Sequence, residues 1–384
     1  MDMEKILIVG AGLSGAVIAR ELAEKGMKIT VVESRNHVAG NCHTERDART
    51  GVMVHVHGPH IFHTDNEEVW KYVNRFAEFA PYICRVKATT GGRVYGLPIN
   101  LHTINQFFGK TFNPKEAKQF IEQNAEKSIS EVRSFEDQAL RFLGKDLYHA
   151  FFRGYPIKQW GLPPSELPAS VLKRLPVRFS YDDNYFGHRF QGMPVEGYTL
   201  MVERILDHEN IDVHLNCSFD RTSTSKYDHV FFSGPLDSWF EHKLGHLAYR
   251  TLRFEPIYDT GDFQGCAVMS YPEENVPYTR ITEHKHFTPW EDHEETIVFK
   301  EFSSQCQPGD IPYYPIRLVE DKEMLRDYVD LAETERNVTF VGRLGTYRYL
   351  DMDVTIAEAL DVADTFLTAR TERAQMPAFV VSPL

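Results

Sequence analysis

Ile6-Leu7-Ile8-Val9-Gly10-Ala11-Gly12-Leu13-Ser14-Gly15 is an apolar run ending in a GxGxxG turn, and a helical pattern follows it as far as Lys25-Gly26. A second apolar run, Ile29-Thr30-Val31-Val32, stops at Glu33. Strand, glycine turn, helix, strand and acidic residue therefore come in the order of a dinucleotide-binding unit. Gly10 permits the tight turn, Gly12 lets backbone approach a pyrophosphate, and Gly15 lets helix and strand pack closely, with phosphates resting on the helix N-terminus. Glu33, about 20 residues past the turn, is placed to accept a ribose hydroxyl.

Working outward, Ala39-Gly40-Asn41 predicts a second backbone stretch close to the ligand, with alanine where flavoproteins of this pattern carry the first glycine of a pair. From Leu101 to about Leu147 the pattern is helical, with starts at Asn113-Pro114 and Ser134-Phe135. The prolines between Pro163 and Asn184 predict a loop, carrying Arg174, that moves over a site. Aromatic and β-branched runs at Tyr249 to Phe254, Ala267 to Tyr271 and Thr296 to Lys300 predict an antiparallel sheet. Strand signals of the nucleotide domain return at Ile211 to Leu215, His229 to Gly234 and Val338 to Arg343, followed by a helix from about Val354 to Ala369. Recurrence in pieces, with a helical and a sheet insertion, is a flavoprotein layout.

At 384 residues the chain exceeds one ordinary core. Hydrophobic content of 42% and charged content of 25% fit a globular protein, and no apolar run reaches the 18 or more residues of a membrane helix, which predicts a cytoplasmic protein with no membrane association. Five cysteines without a CxxC pair argue against a disulfide framework or a cysteine-held structural zinc. The net charge of −13 disfavours nucleic acid and repels anions at long range, so a phosphorylated ligand needs local arginines.

Three stretches are dense in aromatic, histidine and arginine residues. In His55-Val56-His57-Gly58-Pro59-His60-Ile61-Phe62-His63, Gly58-Pro59 breaks any helix that could space metal ligands, so a histidine loop against a planar cofactor fits better. Phe151-Phe152-Arg153-Gly154-Tyr155-Pro156-Ile157-Lys158-Gln159-Trp160, with Arg174 and Tyr185 beyond it, suits either base stacking with phosphate pairing or an aromatic core. Val276 to Lys285, with Tyr313-Tyr314 and Tyr347-Arg348-Tyr349, suits either a diphosphate clamp or a tyrosine-rich sheet core.

Gly58 to Thr64, Lys158 to Gly161, Arg174 to Phe179, Asp182 to Phe186, Val276 to Lys285, Asp310 to Pro315 and Gly342 to Asp353 together resemble the bacterial UDP-galactopyranose mutases over nearly the whole chain. The resemblance implies an α/β protein with a Rossmann-type FAD-binding domain in three pieces (1–78, 194–245 and 317–384), a helical domain (101–158) and an antiparallel-sheet substrate domain (79–100, 159–193 and 246–316). It implies a mutase that interconverts pyranose and furanose forms of a galacto-configured nucleotide-diphospho sugar for cell-surface polysaccharide. The route is an adduct at N5 of the reduced flavin, without net oxidation, so the cofactor and not a side chain supplies the nucleophile. An external reductant such as NAD(P)H and a homodimer are implied too.

By the same resemblance Arg174 and Arg280 bind the diphosphate, with Tyr185, Tyr314 and Tyr349 contacting phosphate. Tyr155 stacks on the base, Phe151, Phe152 and Trp160 line the nucleotide pocket, and His60 lies beside the flavin. Arg343, Met352 and Asp353 meet FAD, along with Gly10, Gly12, Gly15, Glu33 and Asn41. No metal is implied. The chain departs from the family where threonine is replaced by Pro156, asparagine by Cys84 and by Ser270, and commonly tyrosine by His57. Losing these polar groups relaxes the demand for substrate hydroxyls, which sets a 6-deoxy sugar such as dTDP-fucose beside UDP-galactose as substrate. A flavin amine oxidase is the alternative of another class, and its amine substrate has no diphosphate for Arg174 and Arg280 to clamp.

Overall fold

A computed structural model describes residues 4–169, 177–316 and 321–384. The nucleotide unit is a five-stranded parallel sheet in the order Ile211–His214, Lys28–Val32, Lys5–Val9, His229–Phe232, Val338–Phe340. Its strands alternate between two buried faces: Ile6 and Ile8 pack on one side with Val17 and Phe366, Leu7 and Val9 on the other with Phe232 and Tyr328. Burial on both faces is why these strands read as continuous apolar runs. Helices Leu13–Glu24 and Met352–Glu372 cover the first face, the latter extending the expected helix at both ends.

The second sheet has seven strands in the order Tyr314–Pro315, Tyr249–Thr260, Glu295–Gln305, Arg280–Glu283, Val268–Ser270, Val86–Thr90, Arg93–Leu97. Neighbours are antiparallel except Val268–Ser270 beside Val86–Thr90, which run parallel, a pairing that the long intervening chain permits. Two strands are longer than their apolar runs, since pairing of Tyr249–Thr260 with Glu295–Gln305 continues through polar residues out into solvent.

The helical part begins where expected. Asn113 caps Pro114–Asn124 and Ser134 caps Phe135–Leu143, each in a reciprocal capping box. Phe151 and Phe152 lie in a wider turn, Tyr148–Phe152, in which the Arg153 amide donates to the Tyr148 carbonyl five residues back. Such widened turns change which residues share a helix face and recur at functional sites. Of the proline-rich stretch, 163–169 and 177–184 form turns with one bridge, Pro168 to Ser134, while Arg174 lies outside the described residues.

At the glycine turn the constraint is steric. A Cβ on Gly15 would stand 2.0 Å from the Gly10 carbonyl oxygen and 3.0 Å from Ile8 Cγ2, whereas one on Gly12 finds its nearest atom at 3.9 Å. Gly15→Ala is expected to lower stability by about 1–3 kcal/mol through overpacking, and Gly12→Ala by much less. Urea unfolding of the two variants checks this, and equal losses would contradict it.

Candidate active site

Two cavities meet at three side chains. One, of about 500 Å³, runs from the glycine turn past Glu33, Gly40 and Asn41; the other, of about 350 Å³, lies between the helical part and the seven-stranded sheet. His60, Arg343 and Met352 line both.

The first cavity fits a dinucleotide. Helix Leu13–Glu24 starts at Gly12 with neither a side-chain cap nor an acidic residue in its first turn, so its leading N–H groups and positive end are left for an anion. Gly10 takes φ +102° with the Ser233 hydroxyl 2.1 Å from where a Cβ would be. Ala39 adopts φ +72°, the left-handed conformation that glycine adopts more readily, and brings Gly40 over Gly12. Glu33 lines the cavity while its Oε2 accepts from the Ala11 amide at 2.9 Å and its Oε1 from the Arg35 amide at 2.9 Å. The carboxylate therefore braces the turn, with lone pairs left for a ribose hydroxyl. Asn41 Oδ1 accepts from the Arg35 guanidinium at 2.9 Å. Gly15 does not line the cavity; it serves helix packing. Asp353, in the first turn of the last helix, lines neither cavity.

The second cavity gathers Cys84, Phe151, Phe152, Tyr155, Pro156, Trp160, Tyr185, Ser270, Arg280, Tyr314 and Tyr349. Arg280 owes its position to register: it faces Glu301 across one strand pair and Ser270 across the other. The Arg280 Nε and Nη2 both donate to Glu301 Oε2, at 2.8 and 2.7 Å, and Thr279 Oγ1 donates to Oε1 at 3.0 Å. Glu301 is 1% exposed. Burial works against the Arg280 charge, but Glu301 outweighs it and holds the guanidinium above its ordinary range. Tyr314 and Tyr349 stack at 5.6 Å, and the Arg343 guanidinium lies 4.9 Å from the Tyr349 ring centre. Burial raises Tyr155, Tyr185 and Tyr314, so all three hydroxyls remain donors at neutral pH.

His55, His60 and His284 are neutral. The His60 amide donates to His55 Nδ1 and the His55 amide to His284 Nδ1, each at 3.2 Å, which requires both rings to be unprotonated there. His60 donates from Nδ1 to the Gly58 carbonyl at 2.8 Å, leaving Nε2 as an acceptor. Burial, then the charge of Arg343, lowers His60 to about 4. The loop lies on the ion pair: a Cβ on Gly58, where φ is +94°, would be 3.6 Å from Glu301 Oε2. His57 pairs through Nδ1 with the Tyr313 hydroxyl at 2.8 Å.

Several parts of the site escape sequence reasoning. Lys158 Nζ donates to the carbonyls of Tyr271, Glu273, Val276 and Tyr278, pinning helix Gly154–Trp160 to the connection that leads into Arg280. Buried Arg250 donates to the carbonyls of Lys158 and Gln159 at the end of that helix. Gln159 lines the cavity, with a buried Oε1 that has no partner among the described residues. Glu301 looks from its spacing like any charged residue on a long strand; only the partner strand reveals it.

Comparison with known proteins agrees with this geometry. A family model described as UDP-galactopyranose mutase matches residues 150–349, and an NAD(P)-binding Rossmann-like model matches 8–76. A probable UDP-galactopyranose mutase of Klebsiella pneumoniae is 60% identical across 99% of both chains. A dTDP-fucopyranose mutase of Escherichia coli is 52% identical across 96% of this chain and 100% of its own. A crystal structure of reduced UDP-galactopyranose mutase shares the fold, with a TM-score of 0.73 at 16% identity over 95% of this chain and 96% of that one. Amine oxidases match over stretches of only 40 to 48 residues.

Burial holds His55, His57, His60, His229 and His284 below their ordinary range, while Glu283 and Asp262 raise His286. The unfolded chain then binds more protons below about pH 6.5, so stability falls with acidity in that window. Unfolding free energy is expected to drop by at least about 2 kcal/mol from pH 7 to pH 5. Equal urea midpoints at the two pH values would contradict this.

Proposed function

The chain belongs to the UDP-galactopyranose mutase family, and from that premise we propose that it interconverts pyranose and furanose forms of a galacto-configured nucleotide-diphospho sugar, favouring the 6-deoxy, dTDP-linked substrate. The observation that carries the mutase reading is the meeting of a dinucleotide-shaped cavity and an arginine- and tyrosine-lined cavity at His60, Arg343 and Met352. Gly10, Gly12, Glu33, Asn41 and Arg343 would hold FAD in the first cavity, where, once reduced by an agent such as NAD(P)H, it would supply the nitrogen nucleophile.

The chain's own residues do the rest. Arg280, held by Glu301, offers its free guanidinium edge to the diphosphate, and Tyr185, Tyr314 and Tyr349 donate to phosphate oxygens. Negative charge gathers on the diphosphate as it leaves the sugar, so donors fixed in advance favour that step. Arg174, outside the described residues, is the second guanidinium. Phe151, Phe152, Tyr155 and Trp160 enclose the base, and Gln159 Oε1 is the acceptor left for its edge. A neutral His60 adds no cation where the sugar carbon must become electron-poor.

The deoxy preference rests on Cys84, Pro156 and Ser270, all three of which line the second cavity. Cys84 is 2% exposed, and burial pushes its thiol up to about 12, so it acts as a small neutral group. Pro156 has neither amide hydrogen nor hydroxyl to offer a ribose 2′-hydroxyl. Small pocket differences of this kind discriminate by about 10–200-fold.

Dithionite-reduced, FAD-loaded protein is expected to convert dTDP-fucopyranose at least about tenfold more efficiently than UDP-galactopyranose. Faster turnover of UDP-galactopyranose would overturn the deoxy preference alone. Failure to change the ring size of either sugar would overturn the mutase assignment.

A further inference from the structure

Away from both cavities' chemistry, the turn that follows the short helix Leu236–Trp239 brings Asp237, His242 and His246 together, with one ligand-capable atom of each within 4.8 Å of the others. We propose that these three side chains form a binding site for a late divalent transition-metal ion such as Zn²⁺.

Asp237 is 2% exposed, and its Oδ2 accepts from the Leu247 amide at 3.0 Å and pairs with His242 Nδ1 at 3.1 Å. Its Oδ1 is buried and has no hydrogen-bond partner among the described residues. An ionised carboxylate with an idle oxygen in the interior is costly unless something electropositive shares it. The His246 ring lies 4.1 Å from that of His242, so the second imidazole is already at the carboxylate's mouth.

The separations suit a metal. Bonds of about 2.0 Å in tetrahedral geometry put neighbouring ligand atoms about 3.3 Å apart, close to the 3.1 Å between His242 Nδ1 and Asp237 Oδ2. A cation would replace the proton now shared between those atoms, and a modest turn of the exposed His246 would complete the set. Two imidazoles and one carboxylate favour zinc-like ions over magnesium or calcium, which prefer oxygen alone. The fourth position would hold water.

The backbone is arranged in advance. Glu241 and His242 both adopt left-handed φ, at +54° and +56°, unusual for consecutive non-glycine residues. The Tyr328 hydroxyl fixes the turn from behind, accepting from the Leu244 amide at 3.1 Å and donating to the Gly245 carbonyl at 2.6 Å. The other comparable cluster, Asp262, Glu283 and His286, has no idle oxygen to explain: Glu283 accepts from the amides of Phe263 and Gln264 and from the Thr296 hydroxyl. Asp237 also sits between Pro235 and Ser238, which line the dinucleotide cavity, so a bound ion would stiffen that wall.

Zn²⁺ titrated calorimetrically into FAD-loaded protein is expected to bind at one equivalent and to raise the unfolding midpoint by about 2 °C. The double variant His242→Ala/His246→Ala, which leaves the buried aspartate in place, should keep basal mutase turnover and lose both effects. Binding should weaken from pH 7.5 to pH 6, because a metal ion binds its ligands only in their deprotonated forms. Absence of Zn²⁺ binding, an unchanged equivalent in the double variant, or tighter binding of Mg²⁺ than of Zn²⁺ would overturn the assignment.

Discussion

A buried carboxylate holding one arginine organises the substrate half of this molecule. Glu301 is nearly inaccessible, and two nitrogens of Arg280 converge on a single oxygen of it. Removing one member of such a pair strands the other charge, at a cost of about 3–5 kcal/mol. The pairing also sets direction. With Nε and one terminal nitrogen engaged by Glu301, the remaining edge of the guanidinium is left for a ligand in the cavity that Arg280 lines.

Three other features converge on the same point. The histidine loop closes over the carboxylate at Gly58, whose φ of +94° is a conformation that favours glycine. Lys158 gathers the carbonyls of the connection leading into Arg280 and ties it to the helix that carries Tyr155 and Trp160. Strand register then places Ser270 on the far side of Arg280. In a chain of net charge −13, anion binding depends on such local arrangements and not on the overall field. His60, Arg343 and Met352 connect this arrangement to the cavity headed by the glycine turn.

Much of this was legible in the chain. Local signals sufficed for the glycine turn, the caps at Asn113 and Ser134 and the apolar parallel strands, because each depends on residues a few positions apart. Tyr155, Arg280, Tyr314 and Tyr349 were legible through family resemblance, and the structure brings them to one cavity. Glu301 was not, since its burial is decided by Arg280 on a neighbouring strand and by a loop more than 200 residues earlier. The same holds for Lys158, whose four acceptors are all carbonyls more than 100 residues away and leave no trace in side-chain pattern. Asp353 was assigned to the cofactor from its place in a matching segment, yet helix geometry sends Met352 and not Asp353 to the cavity wall. The histidine run reads as a loop because of Gly58-Pro59, and its ring nitrogens tie that loop together: His55 Nδ1 accepts from the His60 amide, His60 Nδ1 donates to the Gly58 carbonyl and His57 Nδ1 pairs with the Tyr313 hydroxyl.

The most direct test is a double-mutant cycle on binding of UDP and dTDP, using Glu301→Gln and Arg280→Ala singly and together. If Glu301 acts by positioning Arg280, Glu301→Gln should weaken diphosphate binding about tenfold, or 1.4 kcal/mol, when Arg280 is present and leave it unchanged when Arg280 is alanine. An equal effect in both backgrounds, or tighter binding once the carboxylate is gone, would contradict the account.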